Sequence, residues 1–154
     1  MSKIYSREEL KKIRSTLKGT VVFTNGCFDI LHVGHIQYLK EARKLGDTLI
    51  VALNTDKSVQ KMKGKNRPIV SQNERAEVLA SLECVDFVTF FDEDTPLKTL
   101  KLLKPDIIVK GGDWPIEKMV GKNVVEKYGG KAVSLNFVEG KSTSNIIKKI
   151  LKTM

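Results

Sequence analysis

Histidine and cysteine are scarce in this chain of 154 residues, with two of each. Cys27 and Cys84 stand far apart and outside any metal-ligand spacing, which fits reduced thiols rather than a disulfide framework. A zinc site ordinarily takes three or four protein ligands, and no second His/Cys cluster exists to complete one, so no metal-ligating residue is assigned. Aromatics make up only 6% of the chain. Without an RNP-like aromatic pattern the sequence lacks a base-stacking platform, and no nucleic-acid partner is expected. No apolar run approaches the roughly 20 residues of a membrane span, and "MSKIYSREELKKIRS" lacks the apolar centre of a signal peptide. The expectation is a cytoplasmic protein with no membrane partner. Also missing are the G-x-G-x-x-G of dinucleotide folds and the G-x-x-x-x-G-K-[ST] of P-loops, which removes dehydrogenase and P-loop NTPase readings.

What is present reads as one globular domain over residues 1–154, with 41% hydrophobic and 29% charged residues. The formal charge is +9. Such an excess favours an anionic partner, or else a solvated lysine-rich surface. Most lysines are scattered, and only "KMKGKNR" forms a patch.

Five short β-rich runs alternate with longer amphipathic ones. Strands are predicted at residues 20–24, 48–53, 85–91, 106–110 and 131–137, several of them apolar on successive residues, as in strands covered on both faces. Helices are predicted at 6–17, opened by the capping-box signature "SREE", then at 33–45, 56–62, 72–82, 96–103, 120–128 and through "STSNIIKKILK". Gly46 is expected to end the second helix as a left-handed stop. In the last helix Ile146, Ile147, Ile150 and Leu151 form an apolar face. The fold class is therefore α/β: a Rossmann-like, doubly wound, mainly parallel five-stranded sheet with helices on both faces. Ligands bind such sheets outside the carboxyl ends of the strands, and the unusual residues do follow strands.

Both histidines lie in "NGCFDILHVGH", after the first strand. His32 and His35, at i and i+3, fall on one face of a helix's first turn, with Gly34 between them leaving room for close approach. A helix N-terminus seats phosphate, and two imidazoles there can donate to its oxygens. The rival readings are a helix-capping or core pair, or a metal pair completed by Cys27 or Asp29. Gly26, Cys27 and Phe28 make the tight turn off the strand, and Asp29 is expected to hold it by accepting backbone N–H groups. "EGKSTSN" offers a second seat at the last helix, where one of Ser142, Thr143 and Ser144 serves as N-cap beside Lys141. "KGGDW" supplies Gly111, Gly112 and Asp113, against which a base or sugar can lie; its alternative is an ordinary turn. Lys61, Lys63, Lys65 and Arg67 form a basic loop, either a lid over phosphates or a solvated surface. Arg75 is a candidate second clamp, because guanidinium binds phosphate as a fork.

"GCFDILHVGH" together with "STSNIIKKI" resembles the HxGH nucleotidyltransferase superfamily. "IVKGGDW" and "EGKSTSNIIKKI" look most like its heptose 1-phosphate adenylyltransferase branch. The resemblance covers residues 6–152. It implies a magnesium-assisted reaction in which D-glycero-β-D-manno-heptose 1-phosphate and ATP give ADP-heptose and pyrophosphate, for lipopolysaccharide cores. Magnesium would be held mainly through the nucleotide phosphates, and a separate sugar kinase would act upstream. A homodimer is compatible with it.

By the same resemblance, Cys27, Phe28, His32, Gly34, His35 and Ser142–Ser144 line the nucleotide site, and the Lys61–Lys65 loop and Arg75 meet phosphate; taken with the residue reading above, the catalytic candidates are His32, His35, Lys63 and Arg75. Nucleotide binding falls to Asn25, Gly26, Cys27, Phe28, Gly34, Gly111, Gly112, Asp113, Lys141, Ser142, Thr143 and Ser144, and acceptor binding to Asn54, Asp56, Lys61 and Lys65. Related cytidylyltransferases carry Arg-Thr-Glu-Gly-Ile-Ser-Thr where this chain has Phe137-Val138-Glu139-Gly140-Lys141-Ser142-Thr143, and the missing arginine favours the heptose branch. The alternatives are a cytidylyltransferase acting on glycerol 3-phosphate or a related phospho-alcohol, and, further off, a non-catalytic nucleotide- or RNA-binding module.

Overall fold

The computed structural model describes residues 2–112, 115–136 and 140–154. The elements run α1 (Arg7–Arg14), β1 (Val21–Gly26), α2 (Val33–Arg43), β2 (Thr48–Asn54), α3 (Asp56–Lys63), α4 (Gln72–Ala80), β3 (Phe87–Phe91), α5 (Leu97–Leu103), β4 (Ile107–Gly111), a 3₁₀ turn (Ile116–Lys118), α6 (Lys122–Glu126), β5 (Lys131–Leu135) and α7 (Thr143–Thr153). The five strands form one parallel sheet in the order β3-β2-β1-β4-β5. The chain winds outward from β1 to β3, then returns to β1's other side, so the switch point lies between β1 and β4.

Every residue of β2 is buried, and so are the first four of β1. That is why these strands read as unbroken apolar runs rather than alternations. Each face of the sheet builds its own core. On one, Val22, Leu49, Val51 and Val109 pack with Leu39 and Ala42 of α2 and Ala76 and Leu79 of α4. On the other, Val21, Phe23, Ile50 and Ile108 pack with Leu10 of α1, Leu100 and Leu103 of α5 and Val125 of α6. Among the described residues no helix is long and apolar enough to cross a membrane.

Local signals explain most boundaries. Ser6 Oγ accepts from Glu9 N while Glu9 accepts from Ser6 N, which closes the capping box of α1. β3 starts two residues later than its apolar run, because Asp86 commits both its N–H and its carboxylate to Leu49. β5 ends at Leu135, and Phe137, expected in it, lies outside the described residues.

Gly46 is a correction. It is not among the glycines with positive φ, and α2 ends on Lys44 in ordinary helical geometry. A Cβ at Gly46 would stand 2.7 Å from the Thr20 carbonyl oxygen and from Val22 Cγ2. Glycine is needed there because the chain passes close to the start of β1. The apolar face of α7 is only partly covered. Ile146 and Ile147 are half-buried, whereas Ile150 and Leu151 are 49% and 67% exposed.

Candidate active site

The turn from β1 into α2 carries unusual backbone. Phe28 and Ile30 have φ of 48° and 50°, a left-handed conformation that is rare without glycine and most costly for a β-branched residue. Between them Asp29 is buried, and its carboxylate accepts from Ile69 N, Val70 N and Arg67 Nε, all at 2.9–3.0 Å. Burial alone would raise its pKa, but the two amides and the guanidinium outweigh that and hold the carboxyl below its ordinary value. Asp29 therefore does more than brace its own turn: it ties the loop after α3 to the turn after β1.

His32 is the N-cap of α2, with its Nδ1 accepting from Gly34 N at 3.1 Å. His35 Nδ1 accepts from His32 N at 3.2 Å. The two rings stack with centroids 3.9 Å apart, and Phe28 lies against His35 at 5.3 Å. Since each Nδ1 is an acceptor, each proton sits on Nε2, and both rings present an Nε2–H donor. Capping and phosphate binding are thus compatible here, because they use opposite edges of the ring.

The start of α7 meets this turn. Thr143 Oγ1 donates to the Asp29 carbonyl, and Ser142, the N-cap, accepts from Asn145 N at 3.0 Å. A Cβ built on Gly34 would lie 2.8 Å from His32 Cε1 and 3.1 Å from Lys141 Cβ. Gly34 is what lets the two helix starts come this close. The two helix starts thus open onto one crevice, with Gly34 N and Asn145 N already taken by the caps His32 and Ser142.

That crevice is a cleft of about 910 Å³. Among the described residues, Lys63, Arg67, Lys110 and Lys141 line it with a single carboxylate, Asp29, which already accepts from Ile69 N, Val70 N and Arg67 Nε. Among the described residues no cluster of three or more His, Cys, Asp or Glu is arranged to hold a metal ion.

Residues 23–149 match the cytidylyltransferase-like family. The chain belongs to that family. It is 53% identical over 153 residues to the bifunctional protein HldE of Syntrophotalea carbinolica, an alignment that takes in 97% of this chain and 31% of the relative. The HldE of Citrifermentans bemidjiense is 59% identical over 133 residues, 86% of this chain and 27% of the relative. The chain thus spans about a third of the length of these curated relatives. A crystal structure of the lipopolysaccharide core biosynthesis protein from Thermoplasma volcanium aligns with TM-score 0.65 and 35% identity, over 80% of this chain and 100% of that one. The pantoate-β-alanine ligase of Francisella tularensis, at 16% identity and TM-score 0.64 over 99% of this chain and 80% of that one, shares the fold.

Within this nucleotidyltransferase fold, most residues expected at the nucleotide do line the cleft. Asn25, Gly26, Cys27, Phe28, His32, Gly34, His35, Gly111, Lys141, Ser142, Thr143 and Ser144 are there, and Lys63 is with them. Gly112 stands one residue off, its N–H bonded to the Leu135 carbonyl. Asp113 lies outside the described residues. Cys27 keeps its proton, because burial pushes the thiol pKa up against the pull of Lys63, Arg75 and Arg67.

Several expected residues lie elsewhere. Arg75, read as a phosphate clamp, is 2% exposed. Its guanidinium donates to the carbonyls of Val70, Cys27 and Asn54 and to the Asp56 carboxylate. It fastens the ends of β1 and β2 to α4 and has no face left for substrate. Asp56, assigned to the acceptor, is taken up as its counter-ion. Asn54 is buried and donates to Ser58 Oγ. Lys61 reaches Asp94 at 2.9 Å on the surface, and Lys65 is exposed; neither lines the cleft.

The sequence reading passed over Lys110, Tyr38, Asn136 and Asn145, all of which line it. Tyr38 hydroxyl bonds Thr24 Oγ1 and the Val109 carbonyl, and burial pushes its pKa up to about 12. Lys110 had a legible signal: a lone cation at the carboxyl end of an apolar parallel strand.

Burial lowers the pKa of both histidines, helped by Lys141 at His32, and by His32 and Lys63 at His35, which falls to about 4. Both rings are therefore neutral donors at pH 7. A depressed histidine pKa means that the unfolded chain binds the extra proton first. The stability carried by the neutral ring is complete above about pH 6.5 and is lost as pH falls toward 4. With only two histidines, a proton NMR titration reads this directly: His35 is expected to titrate near 4 and His32 below 6.5. A normal midpoint for both would refute the burial and the flanking cations as the setting of the two rings.

Proposed function

We propose that the chain is a single nucleotidyltransferase domain acting as an adenylyltransferase. It converts D-glycero-β-D-manno-heptose 1-phosphate and ATP to ADP-heptose and pyrophosphate, in the cytoplasm, for lipopolysaccharide core synthesis, downstream of a sugar kinase. The observation that carries this reading is the meeting of two helix starts at Gly34, one armed with two Nε2–H donors and the other with Lys141 and three hydroxyl residues. The 35% identity to a lipopolysaccharide core biosynthesis protein and the HldE relatives support the substrate class.

In this mechanism a phosphate oxygen of the sugar phosphate attacks the α-phosphorus of ATP in line. The bond from that phosphorus to the bridging oxygen breaks, and pyrophosphate leaves with the electron pair. The attacking phosphate is already an anion, so no Ser or Cys nucleophile is needed, in keeping with a protonated Cys27. His32 and His35 donate to the α- and β-phosphate oxygens as charge builds there, while the start of α7 grips the pyrophosphate end. Magnesium neutralises charge on the triphosphate when bound. The cleft suits an ion carried on the nucleotide's own oxygens, since its one described carboxylate is engaged by Ile69 N, Val70 N and Arg67 Nε.

A second reading, CTP with glycerol 3-phosphate or a related phospho-alcohol, draws on the cytidylyltransferase-like match. A panel of four nucleotides against several phosphorylated acceptors, followed by pyrophosphate release, separates the two. Turnover with ATP and heptose 1-phosphate at least tenfold above every other pair is expected. Preference for CTP selects the second reading, and silence from all pairs refutes both.

A further inference from the structure

Among the described residues, Lys110 is the one cleft cation that rises from a strand; Lys63 ends a helix, and Arg67 and Lys141 lie in loops. It stands at the carboxyl end of β4, paired in register with Ser134 of β5. The residue before it is held firmly, with the Val109 carbonyl accepting from the paired Thr24 and Tyr38 hydroxyls, each of which stands 3.1 Å from it. Among the described residues no carboxylate pairs with Lys110. The residue is half-buried, and burial pulls its pKa down against the opposing influence of Cys27. An ammonium placed so is a poor choice for stability, because an apolar side chain of similar length fills the same space without the desolvation cost.

Side-chain direction sets Lys110 apart from the histidines. Ile108 points into the core beneath α1, α5 and α6, and Lys110, two residues on, leaves the strand on that same side. His32 and His35 stand on α2, which packs on the opposite face. In an in-line displacement the attacking and leaving groups lie on opposite sides of the phosphorus. With pyrophosphate gripped by the starts of α2 and α7, the attacker approaches from the side to which Lys110 belongs.

We propose that Lys110 receives the phosphate of the acceptor and makes the site selective for phosphate monoesters as attacking groups. The assignment rests on the nucleotidyltransferase reading above for its direction of attack. Lysine acts here as a point charge that offsets repulsion between the acceptor phosphate and the triphosphate.

The test compares the wild-type protein with Lys110→Met and Lys110→Arg. With ATP and heptose 1-phosphate, Lys110→Met is expected to raise the acceptor KM by about tenfold or more. The nucleotide KM should stay within about twofold, and the melting temperature should not fall. Lys110→Arg should recover part of the acceptor affinity. An unchanged acceptor KM, or a nucleotide KM that rises as much as the acceptor's, overturns the proposal. A second arm is independent of turnover: inorganic phosphate is titrated while the amide NMR signals of Gly26 and Gly111 are followed. Their response should weaken about tenfold in Lys110→Met, while that of Thr143 and Ser144 persists. Equal responses in the two proteins overturn the proposal even where no substrate pair turns over. Pyrophosphate silence combined with a lost phosphate response at Gly111 would refute the reaction and keep Lys110 as an anion seat.

Discussion

His35→Ala is expected to lower the rate of pyrophosphate release by about a hundredfold or more, the usual consequence of removing one preorganised donor to developing charge. The ring has two separable duties. Its Nε2–H faces the cleft, while its Nδ1 accepts from His32 N and so steadies the cap of α2. Alanine removes both, and the lost cap contact should cost about 1 kcal/mol of stability as well. His35→Asn separates them. An asparagine side-chain oxygen takes the place of Nδ1 and keeps the His32 N–H satisfied, but no donor remains where Nε2 was. Stability should then be near wild type while kcat stays low, with a nucleotide KM that moves little, since the donor acts chiefly in the transition state. Near-normal kcat in His35→Asn, measured under saturating substrates, would remove His35 from the chemistry and leave it as a support of the cap.

The parallel sheet was legible because its strands are covered on both faces and therefore read as continuous apolar runs. That His32, Gly34 and Ser142 share one cleft was legible because they sit at helix starts that follow strands. Harder to read were interactions whose partners are distant along the chain. Arg75 lies 48 positions from Cys27 and 21 from Asn54, so nothing nearby in sequence tells a buried arginine from a phosphate clamp. Asp29 looked like a local brace, yet its partners are Arg67, Ile69 and Val70. Gly46 carried the signal of a helix stop, while the true constraint is the Thr20 carbonyl, which belongs to another element. Lys110 was legible in principle, as a lone cation ending an apolar strand, but the glycines that follow it carry the stronger turn signal. Short-range signals name the helix starts that line the cleft, and long-range contacts decide which charged residues face it.

Arg75→Met is the variant with the largest expected effect on stability. Methionine nearly fills the volume but removes donors to three carbonyls, those of Cys27, Asn54 and Val70. Leaving such buried acceptors unpaired costs about 1–3 kcal/mol each, tempered by any water that reaches them. Asp56, 43% exposed, can return to solvent and adds little. A net loss of about 3–5 kcal/mol follows, in line with breaking a buried, hydrogen-bonded charge. Urea unfolding without nucleotide should show a lower midpoint at an unchanged slope. Arg75→Lys should recover only a minority of the loss, because one ammonium cannot span partners that sit on β1's turn, β2's end and the approach to α4. A phosphate clamp predicts the reverse: normal stability in the absence of nucleotide, and a raised nucleotide KM with the fold intact. The two roles thus separate in a single unfolding curve. The buried guanidinium holds the ends of two neighbouring strands in register, and the left-handed turn that carries the histidines hangs from the first of them.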